Sequence, residues 1–197
     1  LLPIQPSKPL PIILGVDPGT RVAGYAFLQA KNNRPMSPRD YRVIDAGALK
    51  ADIKLTADQR IGLMHEGLFQ LIDTHKPIVL AMEQAFYDKN VSTAIRLGEV
   101  RGAFIAAATR GRVPVAGITP AEVKRLVAGN GRATKEQVCN AVKALMGFDK
   151  GNLPFDVTDA VAIALAHGLN NTFINIPLSN AQRSRANEIS ETSVPNS

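Results

Sequence analysis

Tryptophan is absent, and seven Phe and three Tyr are the only aromatics among 197 residues. A groove built by stacking successive bases on aromatic rings is therefore a poor expectation. A single cysteine, Cys139, excludes an intrachain disulfide. It falls inside a helical pattern and reads as a small buried hydrophobe in a reducing compartment. No apolar run approaches the roughly 20 residues that span a bilayer, and the Pro-rich opening "LLPIQPSKPLP" does not resemble a secretory signal. The expectation is a cytoplasmic chain with no membrane segment.

What is present is ordinary globular composition with a basic bias. Hydrophobic residues make up 45%, enough for a real core in a chain of this length, and 23 Lys and Arg against 17 acids leave a net charge of +6. A polyanionic partner fits that balance without being required by it.

Period and punctuation divide the chain. Residues 1–10 read as a flexible lead-in, 11–170 as one α/β domain, and the polar stretch 171–197 as a disordered tail. "PIILGVD", "VAGYAFLQA" and "YRVIDAGAL" are strands joined by turns, which suggests an antiparallel meander. From Thr56 the period changes, with Ile61, Leu63, Met64, Leu68, Leu71 and Ile72 along one helical side and a Thr56/Gln59 capping box. "PIVLAME" is a fourth strand, Val91 to Thr109 a helix, and "RVPVAGI" a fifth strand. "TPAEVKRLVAG" and "TKEQVCNAVKALMG" open on further Thr caps, and "FDVTDAVAIALAH" starts the last helix. The sum is a mixed five-stranded sheet flanked by helices.

Carboxylates stand where such sheets build sites. Asp17 ends the first strand and Glu83 the fourth, and sites in open α/β sheets gather at strand carboxyl ends. Asp156 and Asp159 are three apart on one helix face, so they can point at the same place. Asp156 can serve as the N-cap of its helix, whereas Asp159, one turn in, has no such duty. Four acids together repel unless a cation sits between them. Mg²⁺ or Mn²⁺ suits such donors, and two ions about 3.5–4 Å apart can serve phosphodiester hydrolysis. The bland alternatives are a turn residue at Asp17, a surface acid at Glu83 and an Arg partner for Asp159. His167, ending an apolar helix, reads as a C-terminal dipole partner or a surface residue. "GNGRA" imitates part of a dinucleotide loop but follows a helix, which discounts it.

Four segments, "GVDPGTRVAGYA", "AMEQAFYDKNVSTAIRLGEVRG", "TPAEVKRLVAGNGRATKEQV" and "DVTDAVAIALAH", together resemble the bacterial RuvC-type Holliday-junction resolvases, a family with the RNase H-like fold. The resemblance runs from about Ile12 to Gly168. It implies a structure-selective endonuclease that cuts four-way DNA junctions symmetrically in recombination and repair, using Mg²⁺ held by Asp17, Glu83, Asp156 and Asp159. It also implies DNA contacts at Phe86, Lys124 and Lys135, with Lys89 in the same polar loop as Phe86. "LGEVRG" and "GITP" depart from the family's common wording, and neither touches a proposed ligand.

The family works as a homodimer, and its partners RuvA and RuvB come with the resemblance. Ala94, Gly98, Gly102 and Ala106 form a small-residue side on the helix from Val91. That side either meets a second copy or lets the helix sit closely on its own sheet. Alternative functions are an RNase H-like nuclease acting on structured RNA, a non-catalytic junction-binding module and, on "GVDPGT" alone, an actin- or Hsp70-type ATPase. The last needs a second phosphate loop and a second lobe.

Overall fold

Alternating burial along short strands organises the fold. The computed structural model describes residues 9–84, 91–148 and 153–170. The tail expected over 171–197, most of the lead-in, and the loop holding Phe86 and Lys89 lie outside the described residues. The element order is β1 (Ile12–Asp17), β2 (Val22–Ala30), β3 (Tyr41–Lys50), α1 (Ala57–His75), β4 (Val79–Glu83), α2 (Val91–Arg110), β5 (Val115–Ile118), α3 (Pro120–Ala128), α4 (Lys135–Met146) and α5 (Phe155–Leu169).

The strands lie in the order β3-β2-β1-β4-β5. β2 is antiparallel to both neighbours, while β1, β4 and β5 pair in parallel. The expected meander and mixed sheet are both present. The fifth strand is shorter than "RVPVAGI" suggested. Arg112 takes a left-handed backbone, and Pro114, having no N–H, only accepts a bond from the Leu80 amide.

Side-chain parity sends each strand's residues to two cores. Ile13, Val79, Ala81, Ala26 and Leu28 pack beneath α3, α4 and α5. Leu14, Val16, Leu80, Met82 and Phe27 pack beneath α1 and α2. Each fully buried Leu, Ile or Phe contributes roughly 1.5–3 kcal/mol, so both layers are needed. α1 buries Met64, Leu68 and Ile72, four apart, as the period predicts. Leu63, expected on that face, is 57% exposed, because it lies one residue off the stripe.

α5 is apolar all round and lies across the sheet with Val157 to Gly168 buried apart from Asp159. His167 is therefore neither a surface residue nor a charged dipole partner. It is 4% exposed, and burial holds its pKa below the ordinary histidine value, which keeps the ring neutral. Cys139 is buried, as expected. No described helix is long and apolar enough to cross a membrane.

Candidate active site

The same parity that builds the cores aims two acids at one face. In β1, Ile13 faces α5 and Leu14 and Val16 face away, so Asp17 returns to the α5 side. In β4, Val79 and Ala81 face α5, and Glu83 follows them. Parallel pairing of Val16 with Met82 then sets Asp17 and Glu83 side by side at the carboxyl edge.

Two glycines let α5 come down onto this edge. A Cβ at Gly15 would stand 2.2 Å from the Ala160 carbonyl oxygen, and one at Gly24 would stand 1.8 Å from that of Asp156. Only hydrogen fits at either point, so the first turns of α5 rest on the backbones of β1 and β2. Asp156 and Asp159 are thereby delivered beside Asp17. The sequence reading of Asp156 as an N-cap is overturned. Pro154 occupies the N-cap with no side-chain hydrogen bond, and the helix begins at Phe155. Asp156 sits inside the first turn, where a carboxylate is favoured by the helix dipole but caps nothing.

The electrostatics show how closely the acids crowd. Asp17 is pushed up to about 7, first by burial and then by Asp159, with Glu83 and Asp156 adding to it and Lys135 opposing. Glu83 is raised as well, by burial and then Asp159, against the pull of Lys124, Arg101 and Lys135. All four predicted acids are thus brought into one field.

Lys135 stands inside that field. Its Nζ donates to Asp159 Oδ2 at 2.7 Å, and it lies 5.3 Å from the centre of the Phe155 ring. Burial works against its charge, but Asp159, then Asp17 and Asp156, more than offset this and hold its pKa above the ordinary value. The bland expectation of an Arg partner for Asp159 is replaced by this lysine. Lys124 on α3 lies close enough to act on Glu83. Phe86 and Lys89 cannot be placed, lying outside the described residues.

One residue of the site escaped the sequence reading. Arg101 on α2 donates from Nη1 to the Glu83 carbonyl and stabilises the Glu83 carboxylate. Burial lowers its own pKa, with Glu83 opposing. Its signal was its position, one residue from buried Val100 and three from buried Phe104, where a solvated arginine is out of place.

These donors fit a hard divalent cation. Every one is a carboxylate, and burial, followed by repulsion from Asp159, pushes Asp17 up to about 7. Among the described residues no three acid, histidine or cysteine side chains are gathered tightly enough to wrap an ion by themselves.

The raised Asp17 makes a testable mark on stability. Between about pH 4 and pH 7 the folded protein keeps a proton that the unfolded chain releases, so this group's contribution falls as pH rises through that window. The loss amounts to roughly a few kcal/mol at about 1.4 kcal/mol per pH unit. In chelator, Asp17→Asn is expected to melt higher than wild type above pH 7, with the gap closing toward pH 4. Parallel melting curves across that range would show that Asp17 titrates normally.

Comparison with known proteins follows the same residues. Positions 13–167 match the family described as "Crossover junction endodeoxyribonuclease RuvC". A protein of that name from Halothermothrix orenii is 40% identical over 157 residues, covering 80% of this chain and 92% of the relative. Another, from Aliarcobacter butzleri, is 43% identical over 155 residues, covering 79% and 96%. Among solved structures, Thermus thermophilus RuvC in complex with Holliday junction substrate superimposes with a TM-score of 0.73. It is 28% identical and is matched over 81% of this chain and 93% of that one.

Proposed function

This chain belongs to the crossover junction endodeoxyribonuclease RuvC family, and from that premise we propose that it resolves four-way DNA junctions by divalent-metal-dependent phosphodiester hydrolysis. Its fold is RNase H-like, shared with a relative seen on a Holliday junction. The observation that carries the reading is the convergence of Asp17, Glu83, Asp156 and Asp159 on one edge of the sheet, where burial and mutual repulsion hold Asp17 up to about 7.

Asp17, Glu83, Asp156 and Asp159 would hold the cation, Mg²⁺ by preference with Mn²⁺ as a substitute. A pair of such ions supplies Lewis-acid activation of the attacking water and relief of charge on the leaving oxygen. The chain's own residues do the rest. Strand parity and the Gly15 and Gly24 contacts fix where the carboxylates stand. Arg101 anchors the end of β4 through the Glu83 carbonyl. Lys135 balances charge at Asp159 and would meet a substrate phosphate. Lys124 supplies a second cation beside Glu83. Phe86 inserts among the bases at the junction centre, with Lys89 on the adjacent backbone. The nuclease unit is 11–170, and a cytoplasmic location suits its DNA substrate.

The test is a synthetic four-way junction with Mg²⁺. Paired, symmetric incisions support the proposal. Cleavage of structured RNA in preference to the junction would favour the RNA-processing reading, and binding without cleavage the non-catalytic one.

Symmetric cutting calls for a symmetric enzyme. α2 packs on its own sheet through Val100, Phe104, Ala107 and Ala108, while among the described residues nothing lies within 4 Å of a Cβ at Gly98 or Gly102. Gly98 and Gly102 therefore serve no packing within the protomer among the described residues. The small side faces outward, with Val91, Ile95 and Ile105 exposed around it. We assign this face to a homodimer. Gly102→Arg is expected to fold, since the space is open and Arg favours a helix over Gly by up to about 1 kcal/mol. It should sediment as a monomer and lose paired incisions. A wild type that is monomeric at micromolar concentration with and without DNA would remove the assignment. RuvA and RuvB remain the proposed branch-migration partners.

A further inference from the structure

The end of β4 is held in a way that strand pairing alone does not explain. In the peptide that joins Glu83 to Gln84, the Gln84 amide faces β5 and donates to the Ile118 carbonyl at 2.8 Å. The N–H and C=O of a trans peptide point in opposite directions, so the Glu83 carbonyl turns toward β1. Val16 pairs with Met82 in parallel, which brings Asp17 opposite Glu83. In a parallel ladder the donor for that carbonyl is then the residue after Asp17. That residue is Pro18, which has no N–H to give.

A carbonyl left without a donor away from water is costly. Here the donor comes from another layer, as Arg101 on α2 gives Nη1 to the Glu83 carbonyl. No residue of α2 before Val100 is buried, so Val100 and Arg101 mark where the helix first meets the sheet. Among the described residues no ion pair joins Arg101 to the Glu83 carboxylate, although its charge acts on that group. Lys135, by contrast, bonds the Asp159 carboxylate directly.

We propose that Arg101 is a positioning residue for the cutting reaction, standing in for the amide that Pro18 lacks. It fixes the peptide from which Glu83 projects and leaves the carboxylate to the cation. The proposal rests on the resolvase reading. Arg101 acts through the main chain rather than on the reacting atoms. With Ile118 on one side and Arg101 on the other, the peptide keeps one orientation and Glu83 one direction. With the Arg101 bond gone, only the β5 side holds it.

The experiment compares full-length wild type, Arg101→Met, Arg101→Lys, and Pro18→Ala combined with Arg101→Met. Three quantities are measured: single-turnover cleavage of a four-way junction, junction affinity, and hydrogen exchange of the Gln84 amide without DNA or metal. Arg101→Met is expected to cut about 100-fold more slowly, the loss that a displacement of roughly 1 Å brings, with affinity close to wild type. Its Gln84 amide, on the same peptide, should exchange faster. Arg101→Lys keeps a donor and should regain most of the rate. Pro18→Ala returns the missing N–H to the end of β1, so the double variant should recover much of the lost rate and protection. Wild-type cleavage in Arg101→Met overturns the role. A loss shared equally by affinity and cleavage also overturns it, since that marks a DNA contact. Failure of both Arg101→Lys and the double variant to restore cleavage overturns it as well, marking a merely structural arginine. If Arg101→Met does not fold, the double variant decides: restored folding and cutting support the role, and no restoration overturns it. Should wild type fail to cut junctions, the resolvase reading falls, while Gln84 exchange still tests the bond between Arg101 and the Glu83 peptide.

Discussion

Replacing Asp159 by Asn is expected to lower junction cleavage by several orders of magnitude while junction affinity stays the same or rises. Asp159 is the hub of the acid cluster. After burial it is the largest influence raising both Asp17 and Glu83, and it holds Lys135 Nζ at 2.7 Å. The Asn variant keeps the volume and removes the charge. Asp17 and Glu83 should then ionise more readily, and Lys135 is released toward the DNA, so binding does not suffer. On the proposed mechanism a metal donor is nevertheless gone, and hydrolysis there would depend on positioned metal rather than on net charge. Asp17→Asn and Glu83→Gln should behave alike. Asp156→Asn is expected to be equally severe, because Pro154 holds the N-cap and Asp156 has no capping duty to preserve. Single-turnover cleavage and gel-shift affinity, measured on the same preparations, decide the matter. Full activity in Asp159→Asn sinks the metal-site reading. Parallel loss of binding, cleavage and melting temperature points to a structural role.

Gly24→Ala is the second large effect, and it carries no chemistry at all. Its added methyl would stand 1.8 Å from the Asp156 carbonyl oxygen, a backbone atom that cannot rotate aside. Either β2 bends or the start of α5 lifts away from the sheet. Overpacking of this kind costs about 1–3 kcal/mol, occasionally more, and this contact belongs at the upper end. The lift also carries Asp156 and Asp159 away from Asp17, so cleavage should fall further than stability alone explains. Gly62→Ala is the matched control. That glycine lies in α1 with nothing within 4 Å of a Cβ among the described residues, and Ala there should stabilise by up to about 1 kcal/mol. Thermal melts and cleavage rates on the two variants separate the cases. A Gly24→Ala protein with wild-type melting and activity would show that α5 does not rest on β2 as described.

These two variants mark the boundary of what local sequence could reveal. The caps at Thr56, Thr119 and Thr134 were legible because each is closed within three residues, by Gln59, Glu122 and Gln137. The same holds for the placing of Asp17 and Glu83 at the ends of their strands. Where a feature depends on a distant partner, the local pattern misled or stayed silent. Asp156 looked like a cap, His167 like a surface histidine and Leu63 like a core residue. His167 was decided by what lies against it in space, Asp156 by the start of its helix at Phe155, and Leu63 by its place one residue off the buried stripe.

By itself, then, the sequence determined the elements, their order and the family, and it singled out the four acids as candidates, since period, capping and motif are written over a few neighbouring residues. Tertiary structure alone decided how those acids behave. Lys135 meets Asp159 from another helix, and Arg101 reaches the Glu83 carbonyl across 18 residues. Gly15 and Gly24 admit α5 from more than 100 positions away in the chain. Asp17 owes its pKa of about 7 first to burial and then to charges on other elements. Burial and Coulomb interaction depend on distance through space, and that distance exists only once the chain has packed.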